Sequence, residues 1–305
     1  MTGLVVAADV GGSKLLLRAC DAEGGVRAEA RHETGPDTDG ARLDALVGAF
    51  VEAHPDASAV AVAVPGLVDD GRVLVSDVLP RLAGWSPAPT AVGPAALVVN
   101  DVRAALAGVR HREPLLRDVV VVVSGTGIAA SVLTGGRVLA GSSGWAGELG
   151  SVPASLIGGG GPVLDEVASG RSIERALGRT GPEVARLLAA GDSRAVRVVT
   201  SAGAALGRAV GMLVTLLNPE RVVLGGGATR YAGYADAVVT AAGEASLPEA
   251  WERCRLDVDD DPGSMVVRGL AALAASAPLV ASAPLATEGS AHALPTVPTT
   301  SRSRS

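Results

Sequence analysis

The 305-residue chain has few aromatic residues, two cysteines and a single lysine. Aromatic residues make up 2% of the sequence although 48% of it is hydrophobic. A core therefore has to be built from Ala, Val and Leu, and 40 glycines allow close backbone approach. Cys20 and Cys254 lie far apart, which gives neither a disulfide framework nor a CxxC metal pair.

The chain also lacks a basic patch and an apolar run of membrane-spanning length. Its formal net charge is −6, which argues against a nucleic-acid partner. A membrane span needs ~18 to 20 apolar residues, whereas the densest run here, 119–123, ends in Ser124 and Gly125 and is typical of a buried strand. No basic segment precedes an apolar one at the N-terminus, so we expect no signal peptide, no membrane partner and a cytoplasmic location.

The length predicts about two domains. In the first half, apolar alternation and glycine links predict an antiparallel meander, a helix and two further strands, the second of which runs into another helix. The predicted strands cover 4–9, 15–21, 26–33, 59–64 and 95–99, and the predicted helices cover 41–54 and 102–109. We assign residues 1–110 to an N-terminal α/β domain.

The second half begins with the same layout, because 118–141 is again strand, glycine turn, strand, turn and strand. The remaining pattern predicts helices near 163–178, 182–190, 194–217, 232–246 and 264–275, and a strand at 221–227. We assign 111–275 to a C-terminal α/β domain. From 276 to 305 the composition changes to Ala, Ser, Pro and Thr, which is typical of a disordered tail.

Two short turns combine glycines with polar side chains, one in each half. DVGGSK (9–14) follows the first strand and contains the only lysine, and SGTG (124–127) follows the buried strand 118–123. Such turns can present backbone N–H groups to a phosphate, and Asp9 could hold the Mg²⁺ that accompanies ATP, directly or through water. One such turn is equally typical of a tight hairpin, but a pair can clamp a polyphosphate. A third glycine turn, 225–227, could lie against a base or ribose.

Asn100 and Asp101 stand at the end of one predicted strand and the start of a helix. An isolated pair of this kind is typical of a helix N-cap. A carboxylate here could instead accept the proton of an attacking hydroxyl, which is the usual side-chain contribution to phosphoryl transfer beyond positioning and charge neutralisation. Both interpretations stay open from the residues alone.

Seven motifs occur in the order found in the ROK family of sugar kinases (repressors, open reading frames and kinases), which the chain resembles over roughly 4–275. They are DVGGSK, VPGLVDDG (64–71), NDVRAALAG (100–108), SGTGI (124–128), GRVLAGSSGWAGELG (136–150), ASGRSI (168–173) and LNPERVVLGGG (217–227). The resemblance implies two ribonuclease-H-like α/β domains of the actin-like ATPase type. It also implies a cleft that binds ATP and sugar, and a last helix that returns to the N-terminal domain.

The same resemblance implies roles for individual residues. Asp101 would be the general base, Asn100 and Glu148 would hold sugar hydroxyls, Gly66 would approach the sugar, and Asp165 would take the place of a sugar-binding Glu. The nucleotide would be held by a first phosphate loop (Gly11, Gly12, Ser13 and Lys14), a second (Gly125, Thr126 and Gly127) and an adenosine border (Gly225, Gly226 and Gly227). Relatives are often oligomeric, so we expect a homo-oligomer such as a dimer.

The sequence departs from the family pattern around the sugar. Ser151 stands where many members have a His that contacts the sugar and binds zinc, and the zinc cysteines are replaced by SLIGGGGPVLDEV (155–167). With no tetrahedral set of S, N or O ligands, we expect no zinc site. Val78 stands in place of a sugar-contacting Asn. Ala129-Ala130 replaces glycines after the second phosphate turn.

These features predict an ATP-dependent kinase acting on the 6-hydroxyl of a glucose-like hexose or an aminosugar, kanosamine among them. The altered sugar contacts would shift which substrate is accepted. Two alternatives remain: a sugar-responsive regulator, disfavoured because the first strand begins by Leu4 and leaves no room for a helix-turn-helix, and a degenerate kinase that only binds sugar or nucleotide.

Overall fold

A computed structural model describes residues 4–21, 25–88, 96–155, 161–259, 261 and 264–276. Two five-stranded sheets form its centre, together with a small two-stranded sheet. The predicted tail, 276–305, lies outside these residues apart from its first position.

The first sheet has the strand order β3-β2-β1-β4-β7. Strands β1 and β2 pair antiparallel, as do β2 and β3, whereas β1, β4 and β7 run parallel. The strands are β1 (Leu4–Val10), β2 (Lys14–Cys20), β3 (Val26–Glu33), β4 (Ala57–Val64) and β7 (Ala96–Asn100). Helix α1 (Gly40–Glu52) precedes β4, and α2 (Asp101–Arg112) follows β7.

The second sheet repeats this arrangement with the order β10-β9-β8-β11-β12. Its strands are β8 (Val119–Ser124), β9 (Ile128–Thr134), β10 (Arg137–Val138), β11 (Arg221–Gly225) and β12 (Arg255–Val258). Its helices are α3 (Leu164–Ala168), α4 (Gly170–Leu177), α5 (Gly181–Ala189), α6 (Ser193–Leu217), α7 (Tyr234–Ala245), α8 (Pro248–Trp251) and α9 (Met265–Ser276). The repeated antiparallel meander that the sequence predicts is therefore present in both halves.

The structure differs from the sequence prediction at several places, one of which is the short helix α8. A hairpin of β5 (Leu67–Asp69) and β6 (Arg72–Val75) was not predicted, and neither was β12. The predicted helix 163–178 is broken, because Ser169 is extended (φ −74°, ψ 162°) and caps α4 by accepting from Ser172 N–H. The break lets the N–H of Gly170 bond to Gly125 O in the second glycine turn at 2.8 Å instead of continuing the helix.

Helix α9 packs against both sheets, since Val267 and Leu270 share a hydrophobic cluster with Ala61 of β4 and Val121 of β8. It crosses α2 at two glycines. A Cβ on Gly108 would lie 3.0 Å from Gly269 N, and a Cβ on Gly269 would overlap Ala104 O. The two helices therefore approach at backbone distance, beside the cleft between the sheets.

Helix α6 is the one described helix that is long and apolar enough, by length and composition, to cross a membrane. Its most apolar window is 56% buried within the protein, and its buried residues belong to the core of the second sheet. A mostly buried core helix passes the same test of length and hydropathy.

Candidate active site

The first glycine turn connects β1 to β2 and is closed by its own backbone. Gly11 N–H donates to Lys14 O at 2.8 Å, and the Thr34 hydroxyl donates to Gly11 O at 2.6 Å. The N–H groups of Gly12 and Ser13 have no hydrogen-bond partner among the described residues. These two groups, rather than that of Gly11, are available to an anion.

The second glycine turn connects β8 to β9 in the same way. Gly125 N–H donates to Gly127 O at 2.8 Å, while Gly125 O accepts from Gly170 N–H. In the part of the chain that the structure describes, the N–H groups of Thr126 and Gly127 have no partner. In each turn the first glycine N–H closes the loop by a hydrogen bond, and the next two N–H groups have no partner among the described residues.

The two turns meet across the cleft. A Cβ built on Gly12 would lie 3.4 Å from Thr126 Cγ2 and would overlap Cγ1 of Val78. Val78, which replaces a polar family residue, therefore packs against the first turn. Because the N-terminal and C-terminal turns touch, the described conformation is a closed one.

The second turn is held by a buried hydroxyl network beneath it. Ser124 Oγ and Tyr234 OH lie 2.8 Å apart, and Tyr234 OH donates to Ala168 O at 2.7 Å. Ser124 and Tyr234 are both fully buried. This network ties β8, α7 and the end of α3 together directly under the turn.

Asp9 and Asp101 come together because β1 and β7 run parallel on either side of β4 and end at the same edge of the sheet. Asn100 is the N-cap of α2, accepting from the N–H groups of Val102 and Arg103 at 3.1 and 3.2 Å. The N-cap interpretation of the pair thus applies to Asn100. Asp101 occupies the first helical position, where its Oδ1 accepts from Val102 N–H at 2.8 Å.

Burial raises the pKa of the Asp101 carboxyl to about 7, and the negative charges of Asp9 and Glu148 add to the increase. Burial likewise raises the pKa of Asp9 to about 6, against the opposing charges of Lys14 and Arg18. The edge of the first sheet therefore carries two carboxyls that titrate near neutrality. Perturbed carboxyls in a cleft are typical of functional sites.

A narrow pocket lies next to these carboxyls, between the two halves of the chain. Asn100 Nδ2 donates to Gly66 O at 2.9 Å, and Arg103 donates to Gly144 O at 3.0 Å across the cleft. The pocket holds about 10 Å³, which is enough for roughly one water and not for a sugar. It is lined by Gly66, Leu67, Val68, Asn100, Val102, Arg103, Ala130, Gly144, Ala146 and Glu148.

Glu148 reaches the pocket because Gly147 packs directly on β9. Gly147 has φ +106°, a Cβ there would overlap Ala130 O, and Gly147 O accepts from Ala130 N–H at 2.7 Å. Partial burial raises the pKa of Glu148, with the nearby charges of Asp165 and Asp77 in the same direction. Three of the predicted sugar residues, Gly66, Asn100 and Glu148, therefore line one pocket.

The three other predicted sugar residues, Asp101, Ser151 and Asp165, do not line this pocket. Asp165 Oδ1 accepts from Ile128 N–H at 2.6 Å, and Oδ2 lies 3.3 Å from a Cβ built on Gly127. Its carboxylate is thus engaged beside the second glycine turn. Ser151 is exposed at the end of a short 3₁₀ segment (Leu149–Ser151), where its N–H donates to Glu148 O.

In the third glycine turn, two glycines pack closely against neighbouring atoms and the third is open. A Cβ on Gly225 would lie 2.6 Å from Met265 Sδ, and one on Gly226 (φ +94°) would overlap Ser124 O. Gly227 is exposed and has no atom within 4 Å of a Cβ. Gly225 and Gly226 therefore pack the end of β11 against its neighbours, and only Gly227 faces a free space.

No group of three or more His, Cys, Asp and Glu side chains that could hold a metal ion occurs within the described ranges. A Mg²⁺ ion that accompanies nucleotide phosphates needs fewer protein ligands, since it keeps several waters and is bound by one or two carboxylates. Asp9, at the start of the first turn, fits that smaller requirement.

Seven of the ten residues that line the pocket were not predicted from the sequence, among them Leu67, Val68 and Arg103. Leu67 and Val68 reach the pocket on the unpredicted hairpin, and Arg103 reaches it from the first turn of α2. Arg103 belongs to the NDVR motif and lies in the first turn of the helix that begins at Asp101. Its closeness to Asp101 along the chain was the sequence signal that could have placed it at the pocket.

The duplicated sheets, with a cleft and two glycine turns between them, form a fold of the actin-like ATPase type. A ROK family glucokinase from Streptomyces griseus, in complex with glucose and AMPPNP, has this fold. It aligns with a TM-score of 0.77 and 24% identity, covering 90% of this chain and 100% of that one. The fold class predicted from the sequence is confirmed.

The chain belongs to the ROK family, which matches residues 5–277. It is 31% identical over 287 residues to the bifunctional enzyme NanE/NanK of Brucella melitensis, covering 88% of this chain and 54% of that enzyme, so it spans about half of this relative's length. It is 30% identical over 255 residues to the N-acetylmannosamine kinase of Citrobacter koseri, covering 75% of this chain and 85% of that one. These homologues are sugar kinases, and a ROK family transcriptional regulator, homologous to the E. coli MLC protein, also aligns with a TM-score of 0.72 and 22% identity, covering 90% of this chain and 79% of that one.

Proposed function

We propose that this chain transfers the γ-phosphoryl group of ATP to the 6-hydroxyl of a glucose-like hexose or an aminosugar. The observation that carries the proposal is the position of Asp101. Its carboxyl has a pKa of about 7 and lies beside both a second carboxyl and the pocket lined by Gly66, Asn100 and Glu148. A base that titrates near the working pH is suited to accept a hydroxyl proton.

Asp101 is the general base in this proposal. Val102 N–H already occupies Oδ1, so Oδ2 is the oxygen that takes the proton as the sugar oxygen bonds to phosphorus. The bond between the γ-phosphorus and the bridging oxygen breaks, and ADP leaves with that oxygen. Asp9 would hold Mg²⁺, directly or through water, and the ion would neutralise charge on the phosphates.

The two glycine turns supply the phosphate contacts in this scheme. Four N–H groups, those of Gly12, Ser13, Thr126 and Gly127, face the nucleotide from the two sides of the cleft, and Lys14 adds a cation. Gly11 and Gly125 shape the turns, and Gly227 borders the adenosine while Gly225 and Gly226 support it. Fixed N–H donors of this kind stabilise developing charge without reorganisation.

The sugar would lie in the pocket next to Asp101. Glu148 and the remaining N–H of Asn100 would bond hydroxyls, and Gly66 would let the backbone approach the ring. Since the closed pocket is too small for a hexose, the two domains, 1–110 and 111–275, must open for substrate and close again. Closure of this kind excludes water, which otherwise competes as the acceptor.

Departures at Ser151, Val78 and Asp165 favour a modified hexose over plain glucose. None of the three presents the expected polar group to the described pocket, and Leu67 and Val68 give the pocket an apolar wall. An aminosugar such as kanosamine, or an N-acetylated hexosamine, is compatible with fewer polar contacts. When a sugar site loses a hydrogen-bonding side chain, the pattern of sugar hydroxyls that it accepts changes.

The test is ADP release from Mg-ATP with glucose, mannose, glucosamine, N-acetylglucosamine, N-acetylmannosamine and kanosamine. We expect turnover with at least one sugar, reduced about 10²- to 10⁴-fold in Asp101→Asn because the proton acceptor is lost. Asp56→Asn, at an exposed turn before β4, serves as a matched control for removing a carboxylate away from the pocket. If wild type binds ATP but turns over with none of these sugars, the kinase proposal fails and the binding-only alternative is favoured.

A further inference from the structure

Arg171 lies where the two glycine turns meet, and none of the motif-based roles uses it. It is the second residue of α4 (Gly170–Leu177), which begins directly at the second turn. The bond from Gly170 N–H to Gly125 O, at 2.8 Å, fixes the backbone of this helix start to the C-terminal turn. The base of the Arg171 side chain is therefore anchored on one side of the cleft.

The tip of the same side chain reaches the other side. Arg171 Nη2 lies 3.5 Å from the position of a Cβ built on Gly12, in the N-terminal turn. Thr126 Cγ2 lies 3.4 Å from the same position. The guanidinium therefore lies beside Gly12 and Thr126, one residue of each turn whose N–H group is left available.

The side chain of Arg171 is exposed and makes no hydrogen bond or ion pair with any residue that the structure describes. Other arginines nearby are engaged: Arg175, one helical turn on, donates to Glu166 O at 3.0 Å, and Arg103 donates to Gly144 O at 3.0 Å. The charge of Arg171 lowers the pKa of Asp165, against the larger effect of burial, which raises it. One oxygen of that carboxylate already accepts from Ile128 N–H.

We propose that Arg171 binds the phosphate chain of the nucleotide beyond the α-phosphate, bridging the two glycine turns. A guanidinium presents five N–H donors in a planar fork that matches phosphate oxygens, and Arg–phosphate pairs are commonly bidentate. With its backbone on one turn and its tip at the other, Arg171 can contact the phosphates only when the domains are closed. It would balance negative charge that builds on the departing ADP during transfer.

This inference rests on the proposed kinase function, because it assigns a ligand within the same cleft. The variants are Arg171→Gln, which removes the charge, Arg171→Lys, which keeps it without the fork, and Arg175→Gln as the matched control on the next turn of α4. Binding of Mg-ADP and of AMP is measured by titration calorimetry on the full chain, together with kcat and KM for ATP and for sugar.

We expect Arg171→Gln to weaken Mg-ADP binding by about 10- to 100-fold, as for loss of charged hydrogen bonds, and to change AMP binding less than twofold. Arg171→Lys should recover part of the loss, and KM for sugar should stay unchanged. Arg175→Gln should match wild type in every measurement. Equal melting temperatures of the variants would establish that folding is intact.

The inference is overturned if Arg171→Gln binds Mg-ADP as wild type does, or if AMP binding weakens in parallel with that of Mg-ADP. The second result would place Arg171 in a purely structural role, with its charge serving to hold Asp165. A wild-type protein that binds Mg-ADP but phosphorylates no sugar would refute the kinase proposal while leaving the Arg171 measurement decisive. A wild-type protein that binds neither nucleotide would refute both.

Discussion

The proposed general base should destabilise the protein when it ionises, so removing its charge should stabilise the fold while abolishing turnover. Burial and the charges of Asp9 and Glu148 raise the pKa of Asp101 from 3.8 to about 7. A carboxyl with a raised pKa in the folded state costs stability above that pKa, because the folded protein resists ionisation that the unfolded chain accepts. This loss of stability is absent below the pKa that the Asp101 carboxyl has in the unfolded chain.

The magnitude follows from the shift. Each unit of pKa is worth about 1.4 kcal/mol, so at pH 8 the ionised Asp101 costs on the order of 4 kcal/mol as an upper limit. Asparagine is nearly isosteric, and its Oδ1 can still accept from Val102 N–H. We therefore expect Asp101→Asn to melt at least about 4 °C above wild type at pH 8, since one kcal/mol shifts the melting temperature of a domain of this size by roughly 2–4 °C.

The assay is a melting curve of the ligand-free protein at pH 8 and at pH 4.5, followed by far-ultraviolet circular dichroism. The advantage of Asp101→Asn should shrink to about a quarter at pH 4.5, where wild-type Asp101 is protonated in the folded state and only the ionisation of the unfolded chain still contributes, about 1 kcal/mol. Asp56→Asn, at an exposed turn before β4, gives a control for removing a carboxylate. An Asp101→Asn variant that melts at or below wild type at pH 8, or whose advantage is independent of pH, would refute the reasoning.

Three further predictions follow from other contacts. The kcat/KM of wild type should rise with pH through about 7 and then level off, because Asp101 accepts a proton only when ionised; a flat profile between pH 5 and 8 would contradict this. Tyr234→Phe should lose about 1–3 kcal/mol in urea unfolding, because Ser124 Oγ is left buried without its 2.8 Å partner. Gly269→Ala should cost about 3 kcal/mol or more, because its Cβ would overlap Ala104 O, whereas Gly35→Ala, with no atom within 4 Å, should melt like wild type.

The sequence was sufficient to predict the duplicated meander and the two glycine turns, because both depend on local signals. Alternating apolar residues predict each strand, and a glycine pair next to a polar residue predicts each turn. The meeting of Asp9 and Asp101 was also predictable in outline, since parallel strands end at one edge of their sheet. These parts of the site require only strand order and the period of side chains along a strand.

The rest depended on contacts between distant segments. The pattern 163–178 is helical throughout, and nothing in it reveals that Gly170 N–H bonds to Gly125 O and so breaks the helix at Ser169. The same tertiary contact places Arg171 in the cleft. Three glycines in a row at 225–227 look equivalent in sequence, yet two are fixed by close packing and one is open.

The two glycine turns are alike in hydrogen bonding but differ in how firmly they are held. Beneath the second turn lie the Ser124–Tyr234 hydroxyl pair, the Asp165 carboxylate and the start of α4. The first turn is held by Thr34 from β3's end and by its own backbone. A rigid C-terminal turn provides donors that need no reorganisation when charge develops. Helix α9 joins the second sheet to the first through the Gly108–Gly269 crossing. In the proposed mechanism, closure would bring the less firmly held first turn, Asp9 and Asp101 towards the proposed phosphate site at the second turn, with Arg171 spanning the two turns.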